Sequence, residues 1–144
     1  MSKYNQGRFL PKNPKKLIGN ASPFWRSSWE LHLMNWLDLD PRVIQWGSEC
    51  VTIPYKNPLT GKNTVYIPDF LIQYQNSTGK TVVEMVEVKP KKEAVMEAAK
   101  SRRDKAFVIL NTAKWQAAAQ FCAKHGINFR VITEEQIFVN KGKR

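Results

Sequence analysis

Apolar positions along this chain change period three times, and the changes divide it into elements. Trp25, Trp29, Leu33 and Trp36 recur at spacings of four, four and three, with Met34 and Leu37 widening the stripe. That spacing predicts an amphipathic helix. Ser22-Pro23 reads as its N-cap and first helical residue, and Asp40-Pro41 should stop it near Asp38. Val43 to Trp46 and Cys50 to Tyr55 read as short strands, followed by a turn-rich loop over 56–63. Val65 to Tyr74 and Thr81 to Lys89 are rich in β-branched and aromatic residues on either side of the turn Asn76-Ser77-Thr78-Gly79, which predicts an antiparallel hairpin ended by Pro90. From Lys91 to about His125 the pattern is helical again, with Val108, Thr112, Trp115, Ala119 and Cys122 on one stripe and Gly126 as the stop. Phe107 to Leu110 would also suit a buried strand, and the helical reading is preferred. Ile127 to Ile132 is a last strand, and Thr133-Glu134-Glu135-Gln136 is a capping box opening a short final turn. The order helix, strands, helix, strand describes a small α/β domain.

Charge changes the picture more than composition does. The chain has 144 residues, enough for one domain with a buried core. It carries 23 Lys and Arg against 12 Asp and Glu, a formal charge of +11. Polyphosphate is the first partner such a surplus suggests, and an acidic membrane surface the second. The sequence holds no apolar run of membrane-spanning length and no apolar leader region near its start, so neither a membrane helix nor a signal peptide is expected. Cys50 and Cys122 cannot form a disulfide framework, and Cys122 reads as a core residue. The cations cluster. Residues 1–21 form a basic arm with Lys12, Lys15 and Lys16; residues 22–138 form a single domain that opens with Arg26; and 139–144 form a basic tail. A second cluster holds Lys91, Lys92, Arg102 and Arg103. These eight are the candidate phosphate contacts to double-stranded DNA, which hold a duplex without reading it. Trp46, Tyr55 and Phe9 are candidates to stack on bases.

Three polar positions sit where a core should be. Asp69 follows Pro68 inside Val-Tyr-Ile-Pro-Asp-Phe-Leu-Ile, and Pro68 cannot donate to a strand ladder, so the strand is interrupted there. Alternation along the next strand puts Glu87 and Lys89 on one face and Val86 and Val88 on the other. Pairing through the Asn76–Gly79 turn would bring Asp69 close to Glu87. Two adjacent carboxylates repel unless a cation sits between them. Mg²⁺ suits one or two carboxylates, waters and a phosphate oxygen. A lysine beside them can hold the attacking water or stabilise the transition state. Glu30 adds a carboxylate to the inward stripe of the first helix, unless it only pairs with Arg26 one turn earlier. No Gly-rich Lys-Ser/Thr phosphate loop is present, so no nucleotide cofactor is expected.

Pro68-Asp69, then Glu87-Val88-Lys89, behind a helical Glu30, resembles the PD-(D/E)xK nuclease superfamily. The resemblance implies a restriction-endonuclease-like core, a small mixed β-sheet flanked by helices. It also implies that Glu30, Asp69 and Glu87 serve Mg²⁺, with Mn²⁺ able to substitute, and that Lys89 is catalytic. Lys12-Asn13-Pro14-Lys15-Lys16, Arg26-Ser27-Ser28-Trp29-Glu30, Ile67-Pro68-Asp69-Phe70, Val86-Glu87-Val88-Lys89-Pro90-Lys91 and Ala113-Lys114-Trp115 further resemble the T4-type phage head-completion nuclease family. The TnsA transposon-end nuclease domain is similar more distantly. Such a family implies action on packaged DNA in the infected cell's cytoplasm or on the virion, with a portal or neck protein as partner. The expectation is a metal-dependent deoxyribonuclease with little sequence specificity. The rival readings are a non-catalytic DNA-binding assembly protein of the virion and a transposase- or resolvase-type nuclease that needs a partner.

Overall fold

The computed structural model describes residues 6–19 and 22–135. The basic tail over 139–144 and the remainder of the final turn lie outside them. At the centre is a four-stranded mixed sheet. β3 (Val43–Ser48), β6 (Phe70–Gln75) and β7 (Thr81–Val88) run antiparallel, and β8 (Asn128–Ile132) lies parallel to β7 at the edge. The β6–β7 hairpin forms in the register the turn implies, with Phe70 opposite Val86 and Gln75 opposite Thr81. Two short pairs accompany it: β1 (Gly7–Arg8) with β2 (Phe24–Trp25), and β4 (Ile53–Lys56) with β5 (Asn63–Tyr66).

Each face of the sheet is covered by a helix, as strand alternation requires. On one side α1 (Ser28–Leu39) buries Leu33, Met34 and Leu37 against Val43, Trp46, Phe70, Ile72, Val86 and Val88. On the other, α3 (Arg102–His125) buries Ala118 and Cys122 against Met85, Ile53 and Tyr66, with the Cys122 Sγ 3.6 Å from the Met85 sulfur. Glu87 follows Met85 by two residues and therefore faces α3, away from Val86 and Val88.

Several sequence expectations give way here. The first helix starts at Ser28 behind a Ser27 cap, not at Pro23 behind Ser22, because Ser27 accepts the Glu30 N–H through its hydroxyl (3.2 Å) while Phe24-Trp25 pairs as a strand with Gly7-Arg8. Gly7 is needed there: a Cβ would stand 2.9 Å from the Trp25 ring. The helix after Pro90 is not continuous either. A short α2 (Lys91–Ala94) and a 3₁₀ turn (Met96–Ala98) precede α3, which begins afresh at Ser101, whose hydroxyl accepts the Asp104 N–H (3.0 Å). Residues 107–110 are helical, and Gly126 ends α3 in the left-handed conformation at φ 67°.

The described residues of the basic arm, 6–19, pack onto the fold. Phe9 is buried against Trp46, ring centroids 5.6 Å apart, and Trp46 is itself fully buried, so neither is available to stack on bases. The Asp38 carboxylate, buried, accepts the Lys12 N–H (2.8 Å) and the Asn13 N–H (3.0 Å). Lys16 directs its ammonium at the last carbonyls of α1, those of Leu37 (3.3 Å) and Asp38 (2.9 Å), and at that of Asp40 (2.8 Å). That is the place where a cation best satisfies unpaired helix carbonyls. Lys16 is thus a structural cap rather than an open phosphate contact. Lys12 and Lys15 remain exposed.

Candidate active site

The predicted strand over 65–74 is two strands. β5 ends at Tyr66 in the pair with β4, Ile67 to Asp69 crosses over, and β6 begins at Phe70 in the main sheet. Pro68 accounts for the break, having no N–H to give. At the crossing, side chains replace the ladder. The Asp69 N–H donates to Glu87 Oε1 (3.1 Å), and the Val88 N–H donates to Asp69 Oδ2 (2.8 Å). Each acid keeps one oxygen outside these backbone bonds, and that of Glu87, Oε2, is 3.8 Å from Lys89 Nζ. Lys89 is anchored through its own N–H on the Ile132 carbonyl (3.0 Å), so β8 fixes the residue from behind.

The charges are uncomfortable together. Burial, then the neighbouring Asp69 charge, pushes the Glu87 carboxyl up to about 8. Burial pushes Asp69 up to about 6, against the pull of the Val88 N–H and the Lys89 charge. Glu30 comes from the first turn of α1, where its carboxylate accepts the Arg26 N–H (3.2 Å). Burial, then Asp69, lifts it to about 7. The Arg26 guanidinium does not pair with Glu30 along a helix; it goes to Glu49 (3.2 Å) and sits over the Phe24 ring.

Among the described residues, no group of three His, Cys, Asp or Glu side chains is gathered closely enough to hold a metal ion by itself. Asp69 and Glu87 form a close pair, and Glu30 stands in their field without joining them. Hard oxygen donors with unrelieved repulsion do fit a divalent cation such as Mg²⁺, which takes one or two carboxylates and completes its shell with water.

Of the candidate DNA contacts, Lys92, Arg102 and Arg103 are exposed, with Arg103 over the Phe107 ring. Lys91 Nζ pairs with Glu135 (2.5 Å) while its N–H is held by Glu134 (2.8 Å). Three residues near the site carry no assigned role in the sequence. Glu49 sits at φ 51°, a strained conformation for a non-glycine residue, and donates its N–H to the Asp69 carbonyl (3.0 Å). Tyr66 is buried beside Glu87, and burial followed by that carboxylate's charge raises its phenol. Lys114 lies over the Tyr66 ring at 5.7 Å. The Ala113-Lys114-Trp115 motif is the legible signal for the last.

Residues 40–134 match the TnsA-like endonuclease N-terminal family. The chain belongs to that family, whose domain is restriction-endonuclease-like, and Asp69, Glu87 and Lys89 all fall inside the matched stretch. The sequence is also 37% identical over 140 residues to the head completion nuclease of Enterobacteria phage T4, across 90% of this chain and 91% of that protein. Glu30 lies ahead of the family match. Among the described residues no helix is long and apolar enough to cross a membrane.

Proposed function

We propose that this chain is a Mg²⁺-dependent DNA nuclease of a phage, an endonuclease that also trims ends, with little sequence preference. The observation that carries the reading is the acid pair Asp69–Glu87 beside Lys89, held by reciprocal side-chain-to-backbone bonds at a proline-broken strand. Asp69 and Glu87 would hold the ion, with Glu30 contributing from α1. Bound there, it would lower the pKa of a water and neutralise charge developing on the phosphate. Lys89 positions the attacking water and offers a point charge to the phosphate oxygens. The role of Lys89 would be to hold that water in line with the sugar oxygen that leaves as the phosphorus–oxygen bond breaks. Glu49 holds Arg26 at the mouth of the site, and exposed Lys12, Lys15, Lys92, Arg102 and Arg103 grip the duplex backbone.

The relative's name supports a role in head completion, and we extend it to this chain: cleavage of DNA at filled heads before tails join. The partner would then be a portal or neck protein, and the place of action the cytoplasm of the infected cell or the virion. Cleavage of supercoiled plasmid, with Mg²⁺ or EDTA, by wild type and Asp69→Ala tests the reading. The expected result is cutting that needs both the metal and Asp69. Tight plasmid binding without cutting under Mg²⁺ and Mn²⁺ would instead identify a DNA-binding assembly protein.

A further inference from the structure

We propose that Lys114 is a second cationic contact to the scissile phosphodiester, reaching from α3 toward the phosphate that Lys89 faces from β7. The inference rests on the nuclease reading and adds a residue to its site. Asn111, Lys114 and Ala118 follow one another at spacings of three and four, so they share one row of α3. Asn111 is buried with its amide donating to the Glu93 carbonyl of α2 (3.0 Å), and Ala118 is buried at the sheet, so the row turns inward. Lys105 and Lys124, by contrast, are exposed on the same helix. The Lys114 ammonium is 5.7 Å from the centroid of the buried Tyr66 ring, the last residue of β5 before the chain crosses to Asp69. Burial lowers its pKa, with the Lys89 charge adding to the effect and the charges of Glu87 and Asp69 opposing it. Lys114 therefore shares one electrostatic neighbourhood with the three residues of the site.

What sets it apart is the lack of a counterion. Lys89 has Glu87 at 3.8 Å, whereas no carboxylate of the described residues lies within 4.0 Å of Lys114. A half-buried ammonium whose close contact is an aromatic face, with no carboxylate touching it, is costly to hold. A phosphodiester oxygen brought between Lys89 and Lys114 would supply the missing charge. A purely structural lysine would need only its stem, packed along Tyr66. Methionine keeps that stem and removes the charge.

The test uses the full chain with Lys114→Met and Lys114→Arg. Single-turnover cleavage of a labelled duplex with Mg²⁺ is measured alongside duplex affinity in EDTA and the melting temperature. Lys114→Met should slow cleavage by about 10²–10³-fold, the usual loss for one donor to a developing anion. Duplex affinity should change by less than about threefold and melting by less than about 2 °C, and arginine should recover at least about tenfold of the rate. If Lys114→Met fails to fold, Lys114→Gln is judged by the same criteria. Cleavage within about threefold of wild type, or a loss that only follows weaker binding or lower melting, would overturn the proposal. Wild type that does not cleave at all would instead overturn the nuclease reading on which it rests.

Discussion

Asp69→Asn should make the metal-free protein more stable at pH 8 while abolishing cleavage. The substitution keeps the shape, and the asparagine oxygen can still accept the Val88 N–H that Asp69 Oδ2 accepts at 2.8 Å. What it removes is a charge in the wrong place. A carboxyl held at about 6 instead of 3.8 is destabilised in its ionised form by about 3 kcal/mol. Its charge also helps to push Glu87 to about 8, so neutralising it relieves part of that cost as well. Lost attraction to Lys89 and a weaker bond from Val88 oppose the gain. The net should be about 1–3 kcal/mol, or about 3–10 °C in melting temperature for a chain of this length. The sign with pH is set by the direction of the shifts. Both folded-state values lie above those of the unfolded chain, so the penalty is absent below about pH 4, grows as pH rises, and is complete above about pH 8. Metal-free wild type should therefore lose stability from pH 4 to 8, and Asp69→Asn should lose less. Thermal unfolding in EDTA at pH 5 and pH 8 reads this directly. Adding Mg²⁺ should reverse the order at pH 8, stabilising wild type more than the variant. A variant less stable than wild type at pH 8 in EDTA would refute the reasoning. So would a gain equally large at pH 5, which would mark a packing effect.

The N-terminal segment supplies the remaining tests. Asp38→Ala removes the acceptor of two backbone N–H groups and should destabilise by about 2–4 kcal/mol, measured by urea unfolding. Lys16→Met should lower stability by about 1–2 kcal/mol through the loss of the α1 cap, yet leave the salt dependence of duplex binding unchanged. Lys12→Ala with Lys15→Ala should do the opposite: about 1–2 off the slope of log affinity against log salt, with melting unaffected.

The hairpin and the meeting of Asp69 with Glu87 at its end are legible in the sequence because their signals are local. Strand alternation, the Asn76–Gly79 turn and a proline before an acid each act over a few residues, and together they leave one register. The inward row of α1 was legible in part. Leu33, Met34 and Leu37 are buried, whereas Trp29 and Trp36 only flank the core. The tryptophans carry the bulk of the stripe, but the smaller side chains are the ones that fit into the core. Two serines competed to cap α1. Ser27 prevails because Glu30 stands three residues on and Arg26 can give Glu30 its N–H, a pairing that Ser22 lacks. Counting charges along the arm does not separate Lys16 and Phe9, which serve the fold, from exposed Lys12 and Lys15. Lys16 acts as a donor to carbonyls 21 to 24 residues away, and Phe9 as a core residue, and neither role leaves a trace in neighbouring sequence. The stripe Val108, Thr112, Trp115, Ala119 and Cys122 is inward only in part: Thr112 and Ala119 are exposed, and Asn111 and Ala118 are buried in their place, which turns Lys114 inward.

The break at Pro68 ties these threads together. A continuous strand would have paired backbone with backbone at position 69, and the acids would have been ordinary side chains projecting from a ladder. Because the chain is crossing from the β4–β5 pair to the main sheet, the Asp69 and Val88 N–H groups need other acceptors, and the two carboxylates provide them. Each acid is thereby fixed by one oxygen and open at the other. Repulsion between the pair is held in place by the same bonds, since neither carboxylate can swing away without orphaning a buried N–H. The fold thus holds two closely spaced acids at a rigid point, with Lys89 offsetting part of their repulsion. β7 and α3 each bring a cation to it, and Lys114 is the one with no acid of its own to answer.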